Sequence, residues 1–95
     1  MLEQFDACDA PFVTWLESNV DGYVANTERR NDSSLFRIHR SECRSLRQSH
    51  PAHREGAYTA YDYIKICSDS LSELKDWASR QRRNATVVRC DICNP

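Results

Sequence analysis

Glycine is scarce in this chain: Gly22 and Gly56 are its only two, alongside three prolines. That scarcity excludes the glycine-rich loops in which backbone N–H groups cradle phosphates, and no Walker, Gly-x-Gly-x-x-Gly, Gly-x-Ser-x-Gly or His-Glu-x-x-His pattern occurs. Long apolar runs are missing too, and none approaches the roughly 20 residues that a membrane-spanning helix needs. The first residues, MLEQFDACDAPF, have acids where a secretion signal has lysines and a long apolar stretch, so the expectation is a cytoplasmic protein with no membrane partner. Lysine is almost absent: of 13 basic residues only Lys65 and Lys75 are lysines.

What is present is arginine, unevenly placed. Residues 1–21 hold the acids Glu3, Asp6, Asp9, Glu17 and Asp21 and no base, whereas residues 29–54 hold seven arginines against Asp32 and Glu42. Arginine makes forked contacts to phosphates and to guanine edges, so this polarity points to a polyanionic partner even though the formal net charge is only -1. A solvated basic loop is the plainer reading of the same residues.

Ninety-five residues, 40% of them hydrophobic and 28% charged, suit one small globular domain, and the ending CDICNP is compatible with a module cut from a larger protein. Asp9 to Asn19 reads as a helix, with Asp9 as N-cap, Pro11 in the first turn and Phe12, Trp15, Leu16 and Val20 at helical spacing. Tyr23–Asn26 and Leu35–Arg40 read as a hairpin around the polar turn TERRNDSS, and Tyr63–Cys67 as the clearest strand. Ser70-x-x-Glu73 has capping-box spacing before a second helix with Leu71, Leu74, Trp77 and Ala78 on its buried face, and Thr86–Cys90 is a last strand. The order α-β-β-β-α-β predicts an α+β fold: a small, mainly antiparallel sheet of about four strands with two helices on one face.

Strand alternation then sorts the faces. Val24, Phe36, Ile38, Ile64, Ile66 and Val88 are expected under the helices, leaving Tyr23, Arg37, His39, Tyr63, Lys65 and Arg89 on an open face. Aromatic rings among cations suit nucleic acid, because cations meet phosphates and rings stack on exposed bases. The candidate nucleic-acid contacts are therefore Tyr23, Arg29, Arg30, Arg37, His39, Arg40, Arg44, Arg47, Tyr63 and Lys65. A solvated face of an antiparallel sheet accounts for the same polar pattern.

Five cysteines, an odd number in a chain without a secretion signal, argue for thiols or a metal site rather than a disulfide framework. Cys90-x-x-Cys93 has the spacing of half a zinc site. Its other half is sought in His39-x-x-x-Cys43 and in Cys67, so the alternative metal set is Cys43, Cys67, Cys90 and Cys93, with His39 beside it. The competing reading makes Cys67 and Cys90 small core residues. No nucleophile with its base and no carboxylate cluster is evident, and Glu73-Leu74-Lys75 lies inside a helix, so no catalytic residue is assigned and the chain is read as a non-enzyme.

The set Trp15-Leu16-x-x-Asn19-x-x-Gly22-Tyr23-Val24-x-Asn26, His39-Arg40-x-x-Cys43, Tyr63-x-Lys65-Ile66-Cys67, Trp77 and Cys90-x-x-Cys93 resembles small bacterial DNA-reading modules. Those modules precede HNH-type nuclease domains in modification-dependent restriction endonucleases. The resemblance implies a reader of modified duplex DNA, for a base such as 5-methylcytosine, with cleavage by a fused or partner nuclease. An aromatic pocket for a flipped base would then draw on Tyr23, Tyr63 and Trp15. The expected function is thus a non-catalytic DNA-binding module, and the alternative is a zinc-organised protein-interaction or structural domain.

Overall fold

The computed structural model describes residues 1–43 and 63–95. Its elements are β1 (Glu3–Phe5), α1 (Asp9–Ser18), β2 (Tyr23–Glu28), β3 (Leu35–Arg40), β4 (Tyr63–Ser68), α2 (Leu71–Gln81) and β5 (Thr86–Arg89). The strands form one sheet in the order β1-β4-β2-β3-β5, with every pairing antiparallel except β3 with β5. The α+β class and the mainly antiparallel sheet are as the sequence pattern predicts. A fifth strand is added, because Glu3, Gln4 and Phe5 find pairing partners in Cys67, Ile66 and Lys65 of β4. Three residues with two polar side chains carry no strand signal of their own.

The helices cover opposite faces of the sheet, which corrects the expectation that they share one. Phe12, Trp15 and Leu16 of α1 pack with Phe5, Val24, Cys43, Cys67 and Cys90. Leu74 and Ala78 of α2 pack with Ala25, Phe36, Ile38, Ile64 and Ile66. Val24 is paired with His39 and Cys67, whereas Ala25 is paired with Ile38 and Ile66, so adjacent residues of β2 belong to different cores. The cause of the misreading lies in β2, where Val24 and Ala25 are both apolar and give no alternation to read. The same parity puts Tyr23 on the α2 face, half-buried, and aligns Val88 with Arg37 and Arg89 with Ile38. Val20 lies beyond α1 and is exposed.

Local chemistry explains the helix ends. Ser70 accepts a hydrogen bond from the Glu73 N–H at 3.4 Å, as the capping-box spacing predicts. Glu73 does not reach back to Ser70; its carboxylate instead accepts from the Ser68 hydroxyl, and Ser68 Oγ accepts from the Ser70 N–H at 2.9 Å. At the other end, the Arg82 N–H donates to the Ala78 carbonyl at 2.8 Å. The Arg82 guanidinium, almost fully buried, lies 4.9 Å from the centre of the Trp77 ring. It donates to the carbonyls of Glu28 and Arg29, fastening α2 to the β2–β3 turn. A buried arginine held by carbonyls and an indole face has no spacing signature.

Gly22 sits where α1 crosses the start of β2. A Cβ built on it would lie 2.8 Å from Cη2 of Trp15 and 3.1 Å from the Asn19 carbonyl oxygen. Trp15 is held in the core and cannot swing aside. Gly22→Ala should therefore destabilise the domain by about 1–3 kcal/mol, the usual cost of overpacking, which chemical denaturation followed by tryptophan fluorescence would measure.

Candidate metal centre

The neighbourhood of His39 is assembled by two local events and one long-range pairing. Ile38 faces α2, so His39 faces α1, and the Ser41 N–H bonded to the Gly22 carbonyl at 2.9 Å prolongs the pairing past the strand end. A tight turn follows, in which the Cys43 N–H donates to the Arg40 carbonyl at 2.9 Å and returns Cys43 to the same face. β5 then runs parallel to β3 and delivers Cys90, whose N–H donates to the Ile38 carbonyl at 2.9 Å, alongside His39.

The Cys90–Cys93 segment closes as a knuckle. The Asn94 N–H donates to the Cys90 carbonyl at 3.0 Å, and Asn94 has φ 48, a left-handed conformation that asparagine tolerates. Two backbone N–H groups point at sulfur: Ile92 at Cys90 Sγ over 3.4 Å and Arg40 at Cys93 Sγ over 3.2 Å. Such donors stabilise thiolate character. The Arg40 side chain straps the knuckle from outside, donating to the carbonyls of Cys93 at 3.0 Å and Asn94 at 3.2 Å.

The result is a cluster of one imidazole and three sulfurs. One donor atom from each of His39, Cys43, Cys90 and Cys93 lies within 4.8 Å of all the others. Cys43 Sγ and Cys90 Sγ are 3.8 Å apart. Tetrahedral zinc with bonds of about 2.3 Å places two sulfurs about 3.8 Å apart, so this edge already has the required length. None of the five cysteines is in a disulfide. His39 is nine-tenths buried, and among the described residues its Nδ1 has no hydrogen-bond partner. A buried imidazole nitrogen without a partner costs free energy that a metal bond would recover.

Burial sets the protonation of these donors. Burial, reinforced by the cations Lys65 and Arg37, pushes the His39 imidazolium pKa down to about 4, so the ring is neutral near pH 7, the protonation state in which imidazole binds a metal. Burial pushes the Cys93 thiol up to about 11, and the neighbouring Cys43 and Cys90 add to the rise. Thiols crowded out of water resist ionising together unless a divalent cation offsets their charge. Cys67, by contrast, lies outside the cluster. It is fully buried, its thiol is raised by burial, and β2 separates it from β3, a distance of about 10 Å across two strand spacings. His39 takes the place that the sequence-derived set gave to Cys67. The parallel β3–β5 pairing that decides this has no sequence signal.

The expected nucleic-acid contacts are scattered. Arg29 is paired with Asp6, and Arg30 with Glu28 at 3.1 Å. Arg40 holds the knuckle and His39 belongs to the sulfur cluster. Lys65 is buried; it donates to Asn26 Oδ1 at 2.5 Å, and burial draws its amine down to about 8. Arg37, Tyr63 and Arg89 are exposed, whereas Arg44 and Arg47 lie outside the described residues. The single open face expected for Tyr23, Arg37, His39, Tyr63, Lys65 and Arg89 does not form, because α1 and the cysteine cluster occupy part of it and Tyr23 faces α2. No helix among the described residues is long and apolar enough to cross a membrane.

No family model matches the chain, and no curated protein or solved structure matches it either.

The Arg40 side chain holds the knuckle without supplying a donor atom to the cluster, so it can be removed with all four donors left in place. Arg40→Ala should speed amide hydrogen exchange at Cys90–Asn94 while leaving β2 and β4 unchanged, as exchange followed by mass spectrometry would report.

Proposed function

We propose that this chain is a non-catalytic, zinc-organised protein-interaction domain. The observation that carries the reading is the convergence of His39, Cys43, Cys90 and Cys93, from a strand end, a turn and a knuckle, on one point. Three sulfurs and one imidazole suit zinc, and four protein donors leave no open coordination position for a substrate or an activated water, which fits a structural ion. The N–H···S contacts of Ile92 and Arg40 are the outer support such a site needs.

The chemistry also explains why a domain of this size would use a metal. All four residues of β5 are exposed, so apolar burial does little to hold this strand on the sheet. A metal joining Cys90 and Cys93 to His39 and Cys43 would fasten β5 and the last residues to β3. Small domains with limited cores commonly gain stability in this way.

Elemental analysis of purified protein should give one zinc per chain. Cys93→Ser and His39→Ala should lower occupancy at least tenfold, while Cys67→Ala should retain the metal. At free zinc a thousandfold above its Kd, the metal should add about 4 kcal/mol to unfolding free energy, lost on chelation. Metal-free protein with unchanged stability would sink the reading.

The DNA-reading role implied by the sequence resemblance is separable by experiment. Fluorescence anisotropy with methylated and unmethylated duplexes at two salt concentrations should show no specific binding for an interaction domain. Tight binding that falls steeply with salt, and is weakened by Arg37→Glu, would replace the protein-interaction reading with a DNA-binding one.

A further inference from the structure

β5 is an edge strand. It pairs with β3 on one side, and among the described residues no strand pairs with the other. The Cys90 N–H reaches the Ile38 carbonyl, and backbone direction alternates along a strand, so Val88 also turns its backbone groups towards β3. Val87 and Arg89 therefore aim their N–H and C=O groups outward. Exposed edges are ordinarily blunted by lysine, proline or a bulge, yet β5 reads Thr-Val-Val-Arg. Val87 and Val88 are each more than a third exposed, and Ile92 at the knuckle tip is 55% exposed.

The charge around this edge is one-sided. From Trp77 to Cys90 the chain carries Arg80, Arg82, Arg83 and Arg89 and no acid. Arg83 and Arg89 are exposed, as is Arg37, which is in register with Val88. None of these three has an ion pair among the described residues, whereas Arg80 is paired with Asp76. Acids adjoin this segment at both ends, Asp76 before it and Asp91 at the knuckle.

We propose that the outer edge of β5 takes up an extended acidic peptide segment of a partner protein as an added strand. Backbone groups of Val87 and Arg89 pair with the peptide, Val88 and Ile92 meet its apolar side chains, and Arg37, Arg83 and Arg89 meet its carboxylates. A nucleic-acid backbone would use the arginines but leave the strand edge unpaired, so the peptide accounts for more of the surface. The short edge implies a transient contact, burying less than about 1,200 Å² in total. The inference rests on the zinc reading, because the metal would hold Cys90 and Cys93 at the end of β5.

The test uses the full chain, zinc-loaded, with metal content measured in every sample. The probe is a fluorescein-labelled ten-residue peptide alternating threonine or valine with glutamate; the controls are its lysine counterpart and a DNA duplex. The acidic peptide should bind at least tenfold more tightly than either control. Val87→Pro removes an outward N–H and leaves the β3 ladder intact, so it should keep zinc and weaken peptide binding at least tenfold. Arg37→Glu with Arg89→Glu should reverse the preference towards the lysine peptide.

Zinc-loaded protein that ignores the acidic peptide overturns this inference and leaves the metal reading standing, whereas folded protein without zinc overturns the metal reading. Equal binding by Val87→Pro, tighter binding of the duplex, or a dimer of the chain that occludes β5 and disappears in Val87→Pro would each overturn the peptide as occupant.

Discussion

The parallel pairing of β3 with β5 is the constraint on which the functional end of this domain depends. It sets the Cys90 N–H on the Ile38 carbonyl and so carries the last cysteines to a histidine more than fifty positions earlier in the chain. Little apolar burial supports it, since β5 is exposed along its whole length. Its hold comes from backbone hydrogen bonds, from Arg40 gripping the carbonyls of Cys93 and Asn94, and from the four donors around a common point. A strand attached mainly by polar contacts is the place where a bound ion has the largest effect on local order.

The rest of the molecule does not need that ion in the same way. β2 and β4 lie between two helices, and each supplies side chains to both cores: Val24 and Cys67 under α1, Ala25 and Ile66 under α2. Phe36 stacks on Trp77, with ring centres 5.9 Å apart, and Arg82 covers the same indole from the end of the helix. Thr27, fully buried, spends its hydroxyl on the Leu35 carbonyl at 2.6 Å. These contacts hold the β2–β3 hairpin and α2 as one unit, and the sulfur cluster sits at the opposite end of the hairpin from Arg82.

The legible features were those governed by local chemistry. Leu35–Arg40 is a strand with the bounds its sequence suggests, Ser70 caps α2, and the Cys90-x-x-Cys93 spacing folds as a knuckle. His39 and Cys43 were recognisable as partners of that knuckle because they bracket a turn at a strand end. Face assignment failed at Tyr23 and Val24, where two apolar residues in succession erase the period of two, and at Val88 and Arg89, where an exposed edge strand has no buried side to reveal. Lys65 was misjudged for a related reason: composition treats a cation as solvent-facing, whereas this one is buried and held by Asn26.

Taken by itself, the sequence determined the α+β class, the Ser70 cap of α2, the hairpin and the types of donor available to a metal, because each follows from neighbours a few residues apart. Only the tertiary structure decided that His39 rather than Cys67 completes the cluster. It also decided that the helices cover opposite faces and that the arginine-flanked β5 lies at an edge. Those outcomes depend on strand order and register, which are set by the summed packing of both cores and leave no mark on any single stretch of chain.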